Sequence, residues 1–200
     1  MPEPPFTLYL IRHGETAWSL SGQHTGRTDI PLTSNGEAVA RGLRPWLATI
    51  RFDHVLTSPM RRARATCELA GLGAAAEVEP DLSEWDYGDY EGIRSTEIHA
   101  TRPEWEVFHD GCPNGETPTD VAGRADRLIA KLAERGGTCA LFSHGHFGTM
   151  LGVRWISLPP VAGEHFSLSP ASISVLGHRA GYPEMRVISA WNIDPAAHPH

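Results

Sequence analysis

Three short apolar segments of this 200-residue chain each end in polar residues. They are "TLYLI" at 7–11, "DHVLTS" at 53–58 and "TCALFS" at 138–143, and patterns typical of helices separate them. Such alternation is typical of a sheet that helices cover on both faces. The sequence therefore predicts an α/β fold with a mostly parallel central sheet. Two late strand patterns, "SISVLGH" and "MRVISAWN", predict a hairpin at its edge.

The length is that of one domain with a sizeable core. We expect a single domain over residues 1–192 and a disordered tail over 193–200, where the sequence ends in "DPAAHPH". Helices are predicted from Ser34, from Ser58-Pro59 and over 121–135. The first of these has a capping-box pattern and one apolar face, formed by Val39, Leu43, Trp46 and Leu47.

Bulk charge and cysteine content limit the partners and the setting. The net charge of −7 argues against nucleic-acid binding, because a phosphate backbone requires a basic face. No apolar run reaches membrane-spanning length, and "MPEPPFT" lacks the pattern of a signal peptide. Three cysteines without CxxC spacing indicate reduced thiols. We therefore expect a cytoplasmic protein with neither nucleic-acid nor membrane partners.

Polar residues at strand ends predict the position of a site, because ligands of open α/β sheets bind at the carboxyl ends of the strands. Arg12 and His13 follow the first strand, Ser58 precedes Arg61, and His144 follows the third strand. If these strands are neighbours, two arginines and two histidines converge. Such a pocket favours a tetrahedral anion, and the first turn of the helix after Ser58 would add N–H donors.

Each of these residues also has a simpler interpretation. A single histidine at a strand end is usually structural, and Arg62 and Arg64 fit a solvated helix face. The "HGH" of 144–146 resembles half of a metal site, but no third ligand lies at a spacing typical of zinc. The joint pattern, not any one residue, favours an anion site.

Five blocks of sequence resemble the histidine phosphatase superfamily, whose fold is phosphoglycerate-mutase-like. They are "LIRHGETAW", "TSPMRRARAT", "LSEWDYGDYEG", "NGET" and "FSHGH", in the order and approximate spacing of that family. The resemblance extends over nearly the whole chain. It implies an enzyme that transfers a phosphoryl group to a histidine, with no metal or other cofactor.

The resemblance implies a role for each matching position. His13 would be the nucleophile, while Arg12, Arg61 and His144 would hold the phosphoryl oxygens. Glu84, two residues after a leucine, would protonate the leaving oxygen and later deprotonate water. The neighbouring acids more simply cap turns or face solvent; they are Asp86, Asp89 and Glu91.

The turn-rich stretch after His13 is predicted to form the rim of the site. By resemblance, Ser19, Thr25 and Gly26 would touch substrate, and Gln23 and Gly145 are further candidates. Many mutases of the family have Asn where this chain has Ser19 and a larger basic residue at Gln23. This difference argues against a mutase.

Only 32 positions separate Glu84 from Glu116 of "NGET", which resembles the shorter phosphatases, not the mutases with their long basic insertion. A more specific resemblance is to the sedoheptulose-1,7-bisphosphatase-like branch, so a sugar phosphate or sugar bisphosphate is the expected substrate. A phosphoglycerate mutase, or a phosphatase for another small metabolite, is the alternative. A second phosphate would require distal cations, for which the candidates are Arg27, Arg94, Arg102 and His24.

Two further classes of function make different predictions. A catalytically silent binding module would have lost His13, Arg12 or Glu84, and all three are present. A metal-dependent protein that uses the histidine-rich loops would lose activity in chelator. The sequence leaves open whether the chain forms a homodimer.

Overall fold

The structure is a computed structural model that describes residues 6–195, and the last five residues of the predicted tail lie outside this range. Six strands form one sheet with the order β3-β2-β4-β1-β5-β6. The strands are β1 (Thr7–Arg12), β2 (His54–Thr57), β3 (Ala76–Val78), β4 (Thr138–Ser143), β5 (Ile173–Arg179) and β6 (Tyr182–Ile193). The predicted α/β class is confirmed.

The first four strands are parallel, whereas β5 runs antiparallel to β1 and forms a hairpin with β6. The predicted edge hairpin is therefore confirmed. Because β6 extends to Ile193, it includes the first residue of the predicted tail.

Eight α-helices lie among the described residues. They are α1 (Ala17–Ser21), α2 (Ser34–Gly42), α3 (Arg44–Leu47), α4 (Arg61–Leu69), α5 (Ser95–His99), α6 (Val107–Asp110), α7 (Pro118–Arg135) and α8 (Gly145–Trp155). None of the helices within 6–195 is long and apolar enough to cross a membrane.

The central strands are buried on both faces because successive side chains point to opposite sides. Leu8 and Leu10 of β1 face one hydrophobic cluster, and Ile11 faces the other. Helices α7 and α8 contribute to the first cluster, and α4 packs in the second. The three cysteines are free and buried within this core.

The prediction of the helix from Ser34 needs two corrections. The first helix is capped by Thr33, whose side chain accepts from the Gly36 N–H, and not by Ser34. It ends at Gly42, because Pro45 in the first turn of α3 has no N–H to continue the helical hydrogen bonds. Val39, which was predicted to lie on the apolar face, is 39% exposed.

Candidate active site

The three predicted loops meet because β2, β4 and β1 are neighbours in the sheet. Arg12 pairs with Ser143 in the strand register, and the His13 N–H donates to the Ser143 carbonyl at 3.0 Å. The Ser58 N–H donates to the Phe142 carbonyl at 2.9 Å. The polar residues that follow the three strands are thereby brought to one place.

His13 is held in one tautomer. Its Nδ1 lies 2.7 Å from the Gly14 carbonyl oxygen. Because a carbonyl only accepts, Nδ1 carries the proton and Nε2 keeps its lone pair. Burial, then the charges of Arg12 and Arg62, hold the pKa of His13 well below its usual value. The residue therefore presents a neutral nitrogen.

A close backbone approach fixes the loop that carries His13. A Cβ at Gly14 would lie 2.6 Å from the Gly36 carbonyl oxygen, so only glycine fits there. The Gly14 N–H donates to Thr66 Oγ1 of α4 at 3.0 Å. The loop is thus anchored to both α2 and α4.

The arginine of α4 that is buried at the site is Arg62. The prediction that Arg61 holds the phosphoryl oxygens was therefore wrong by one residue. Arg62 has no exposed surface, and its Nε donates to His144 Nδ1 at 3.2 Å. Arg61 is exposed, and its backbone N–H donates to Asp29 Oδ1 at 2.8 Å. Since α4 begins at Arg61, the first N–H of this helix is bound by a carboxylate and does not face the cavity.

His144 has no exposed surface and uses both ring nitrogens. Its Nδ1 accepts from Arg62, so Nε2 carries the proton and donates to Ser58 Oγ at 2.7 Å. Burial, followed by the charge of Arg62, holds the pKa of His144 well below its usual value. The rings of His144 and His13 are 5.2 Å apart, which places a second neutral imidazole beside the candidate nucleophile.

Arg12 lines the same cavity. Its Nη1 donates to the Leu168 carbonyl, whereas its Nε is buried and has no hydrogen-bond partner within the described part of the chain. A buried donor without a partner is costly unless a ligand supplies an acceptor. The geometry suits an anion that accepts from Arg12.

Glu84 lies at the N-terminus of α8. One carboxylate oxygen accepts from the Trp85 and Phe147 N–H groups at 2.9 and 2.7 Å, and the other from the His146 N–H at 3.1 Å. Among the acids of its segment, only Glu84 lines the cavity. The other three bind elsewhere, to Arg27 and Gly88 (Asp86), to Asn114 (Asp89) and to Gly26 and Thr28 (Glu91).

An ion pair that sequence reasoning missed supports the loop of Glu84. Arg124 Nε and Nη2 donate to the two oxygens of Glu116 at 2.8 Å. Arg124 also donates to the Ser83 and Glu84 carbonyls, and Glu116 accepts from the Asp86 N–H. The pair therefore holds this loop from both sides of Glu84. Glu116 stands in the quoted "NGET" block, but no pattern singles out Arg124.

Arg12, His13 and Glu84 line a cavity of about 360 Å³, whereas Arg62 and His144 are buried behind this lining. Of the predicted rim residues, Ser19, Gln23, Thr25 and Gly145 line it. Gly26 does not, because its N–H donates to Glu91 and its carbonyl accepts from Arg62. Its predicted substrate contact is thus replaced by a structural role. Further lining residues that the sequence did not reveal are Gly22, Tyr87, Ser95, His146, Thr149, Phe166, Ser167 and Leu168.

Within 6–195 no group of three or more His, Cys, Asp or Glu side chains is arranged to hold a metal ion. The second histidine of "HGH" instead lies with its Nδ1 2.6 Å from the Tyr87 hydroxyl. This pair forms part of the cavity wall.

Known proteins resemble most of the chain. A family model described as the histidine phosphatase superfamily (branch 1) matches residues 8–193. An acid phosphatase of Mycobacterium tuberculosis is 41% identical over 185 residues, which cover 90% of this chain and 91% of that protein. Sedoheptulose 1,7-bisphosphatase of Saccharomyces cerevisiae is 34% identical over 191 residues, which cover 79% of this chain and 70% of that protein.

A solved structure of an open reading frame of Mycobacterium tuberculosis has the same fold, with a TM-score of 0.88 at 38% identity. The alignment covers 94% of this chain and 98% of that one. The curated relatives above are named as phosphatases, and the chain is itself a phosphoric monoester hydrolase. Because the family match extends from β1 to the end of β6, this chain belongs to the histidine phosphatase superfamily.

Proposed function

We propose that the chain hydrolyses phosphate monoesters of small, sugar-like metabolites without a metal, by way of a phosphohistidine at His13. The observation that carries this proposal is the neutral His13, with its Nε2 lone pair available, beside the buried Nε of Arg12. A nucleophile and a donor for the same anion then line one cavity. The named sedoheptulose bisphosphatase relative supports a sugar as the leaving group, with one phosphate or two.

In the first step, His13 Nε2 attacks phosphorus, the N–P bond forms and the bond to the ester oxygen breaks. Arg12 and Arg62 neutralise charge on the transferring oxygens, which is the main requirement of phosphoryl transfer. His144 orients Arg62 through its Nδ1 and keeps Ser58 in place. Glu84, in its acid form, gives its proton to the departing alkoxide.

In the second step, the ionised Glu84 takes a proton from a water molecule that attacks phosphorus. The N–P bond breaks, inorganic phosphate leaves, and His13 is again neutral. The segment between Glu84 and Glu116 holds the short helices α5 and α6 and one 3-10 turn, Gly88–Tyr90. It has no long basic insertion, which supports hydrolysis over return of the phosphate to the ligand.

The phosphoenzyme intermediate provides the direct test. Wild type mixed with ³²P-labelled glucose 6-phosphate in excess chelator is expected to carry a label on His13 that is stable in base and labile in acid. His13→Ala should carry none, and phosphate release should fall to background. His165→Ala, at a side chain that is 73% exposed, is the matched control and should be labelled like wild type. Labelling of His13→Ala, or loss of wild-type activity in chelator, would contradict the proposal.

Glu84→Gln is expected to separate the two steps. Without a proton donor, kcat/KM for an alkyl phosphate should fall by about 100-fold. p-Nitrophenolate leaves without a proton, so p-nitrophenyl phosphate should still give a burst at a rate near that of wild type. A slow steady state should follow, because water then lacks its base.

The control for Glu84→Gln is Asp86→Asn, two residues along the same loop, whose carboxylate pairs with Arg27 at 2.8 Å outside the cavity. This variant should keep both phases. Equal losses of the burst and the steady state in Glu84→Gln would mean that Glu84 does not act as the acid.

A further inference from the structure

Beyond the reacting groups, aromatic side chains form a continuous wall of the cavity. His146 lies with its Nδ1 2.6 Å from the Tyr87 hydroxyl, and the Tyr87 ring lies 4.7 Å from that of His24. The His24 Nε2 is in turn 3.3 Å from Ser95 Oγ of α5. The wall therefore runs from the loop of His144 outward to α5.

This wall carries no charge near neutral pH. Burial lowers the pKa of His24 and of His146 to about 4. The neighbouring His146 lowers the pKa of His24 further, and Arg12 lowers that of His146. Burial also raises the pKa of Tyr87 well above its usual value, so its hydroxyl keeps its proton.

The rest of the lining is equally neutral. It consists of hydroxyl, amide, glycine and apolar groups. Among the described lining residues, Arg12 and Glu84 are the only arginine, lysine or carboxylic acid side chains, and the proposed reaction uses both. No second cation remains for another phosphate.

The three arginines that the sequence offered for a distal phosphate lie outside the lining. Arg27 pairs with Asp86 at 2.8 Å, and its side chain is 80% exposed. Arg94 lies 3.8 Å from Glu97, and Arg102 lies 3.5 Å from Asp110. Each is thus paired with a carboxylate at the surface.

We infer that the cavity selects esters with a single phosphate on a neutral, hydroxyl-bearing leaving group, and that it disfavours bisphosphates. The inference rests on the proposed function and narrows its substrate class. A second phosphate dianion in this cavity would lose water without gaining a counter-charge, which is strongly unfavourable. Rings and neutral polar groups, by contrast, suit the C–H faces and hydroxyls of a sugar.

The test compares two substrates that differ by one phosphate, glucose 6-phosphate and glucose 1,6-bisphosphate. We expect wild type to show a kcat/KM at least about tenfold higher for the monophosphate, which corresponds to about 1.4 kcal/mol. Ser95→Lys places a cation on the wall and should shift this ratio at least about fivefold toward the bisphosphate. Thr96→Lys adds the same charge one residue further along α5, at an exposed position outside the lining, and should leave the ratio unchanged.

A wild-type kcat/KM for the bisphosphate that equals or exceeds that for the monophosphate would overturn the inference and leave the proposed function standing. Equal shifts in Ser95→Lys and Thr96→Lys would also overturn it, because the effect would then be one of overall charge. If no ester is hydrolysed, p-nitrophenyl phosphate included, the proposed function fails and the inference fails with it.

Discussion

Replacing Arg62 by alanine is expected to lower kcat/KM for phosphate esters by about 10³-fold, whereas the same change at Arg61 should alter it by less than about twofold. The two residues are adjacent and chemically identical, so each is the control for the other. Arg62 is fully buried next to His144, and Arg61 is exposed.

The large effect at Arg62 has two physical sources. The guanidinium supplies positive charge next to His13 and fixes His144 through a 3.2 Å hydrogen bond. It also donates to the carbonyls of Thr25, Gly26 and Thr28, and these hydrogen bonds hold the rim loop against α4. Alanine would leave these acceptors without a donor, and a buried polar group without a partner costs about 1–3 kcal/mol.

A loss of folding and a loss of catalysis must be measured separately. Thermal unfolding of each variant measures the loss of stability. The value of kcat/KM at a temperature well below the unfolding transition measures the loss of catalysis. Arg62→Lys keeps a charge but not the planar set of donors, so its activity should lie between that of Arg62→Ala and that of wild type. Losses of similar size at Arg61 and Arg62 would contradict the placement of Arg62 in the site.

The fold and the centre of the site were readable from the sequence because they depend on local patterns. Strands buried on both faces read as short apolar runs, and parallel neighbours bring their carboxyl ends to one edge. His13 and His144 directly follow such runs, so their meeting could be expected before any distance was known.

The choice between Arg61 and Arg62 was wrong because successive residues of a helix point about 100° apart. The signal was nevertheless present. Ala63, Thr66 and Cys67 are small or apolar at helical spacing, and all are buried. Extending that stripe back by one turn from Thr66 reaches Arg62 and excludes Arg61.

The remainder of the site depends on contacts between distant segments. Phe166 and Leu168 enter the cavity wall from a stretch without a motif, and Arg124 reaches Glu84 from the middle of α7. Gly26 was placed in the rim by resemblance, yet a Cβ there would lie 2.5 Å from the Trp85 carbonyl oxygen. Side-chain direction in such loops is set by tertiary packing, which a single sequence does not encode locally.

Mild acid is expected to destabilise the protein strongly, through the buried histidines of the cavity wall. Between pH 7 and pH 5, His24 and His146 together should lower the free energy of unfolding by about 4 kcal/mol. This is a large share of the roughly 5–15 kcal/mol that stabilises a typical domain. His13 and His144, whose pKa values are also lowered, act in the same direction.

The direction follows from proton uptake. In the unfolded chain these histidines titrate near their ordinary pKa of about 6.5, whereas the folded state holds the pKa of His24 and His146 at about 4. The unfolded state therefore binds more protons below pH 6.5. The stability that comes from keeping these histidines neutral is fully present above pH 6.5 and is lost as the pH falls toward 4. At pH 5 the loss is about 2 kcal/mol of the free energy of unfolding for each of the two groups.

Urea unfolding at pH 8, 7, 6 and 5, in a buffer without phosphate, measures this dependence. Phosphate must be absent because an anion bound beside the histidines would favour their protonated forms. The free energy of unfolding should be nearly constant from pH 8 to 7 and fall steeply from pH 6 to 5. His146→Asn removes one titrating group. The decrease in the free energy of unfolding of this variant between pH 7 and 5 should therefore be about 2 kcal/mol smaller than that of wild type, whatever the stability of the variant at pH 7. A wild-type stability that does not change between pH 7 and 5 would show that these imidazoles are hydrated in the folded protein, and the neutral cavity wall would then be untenable.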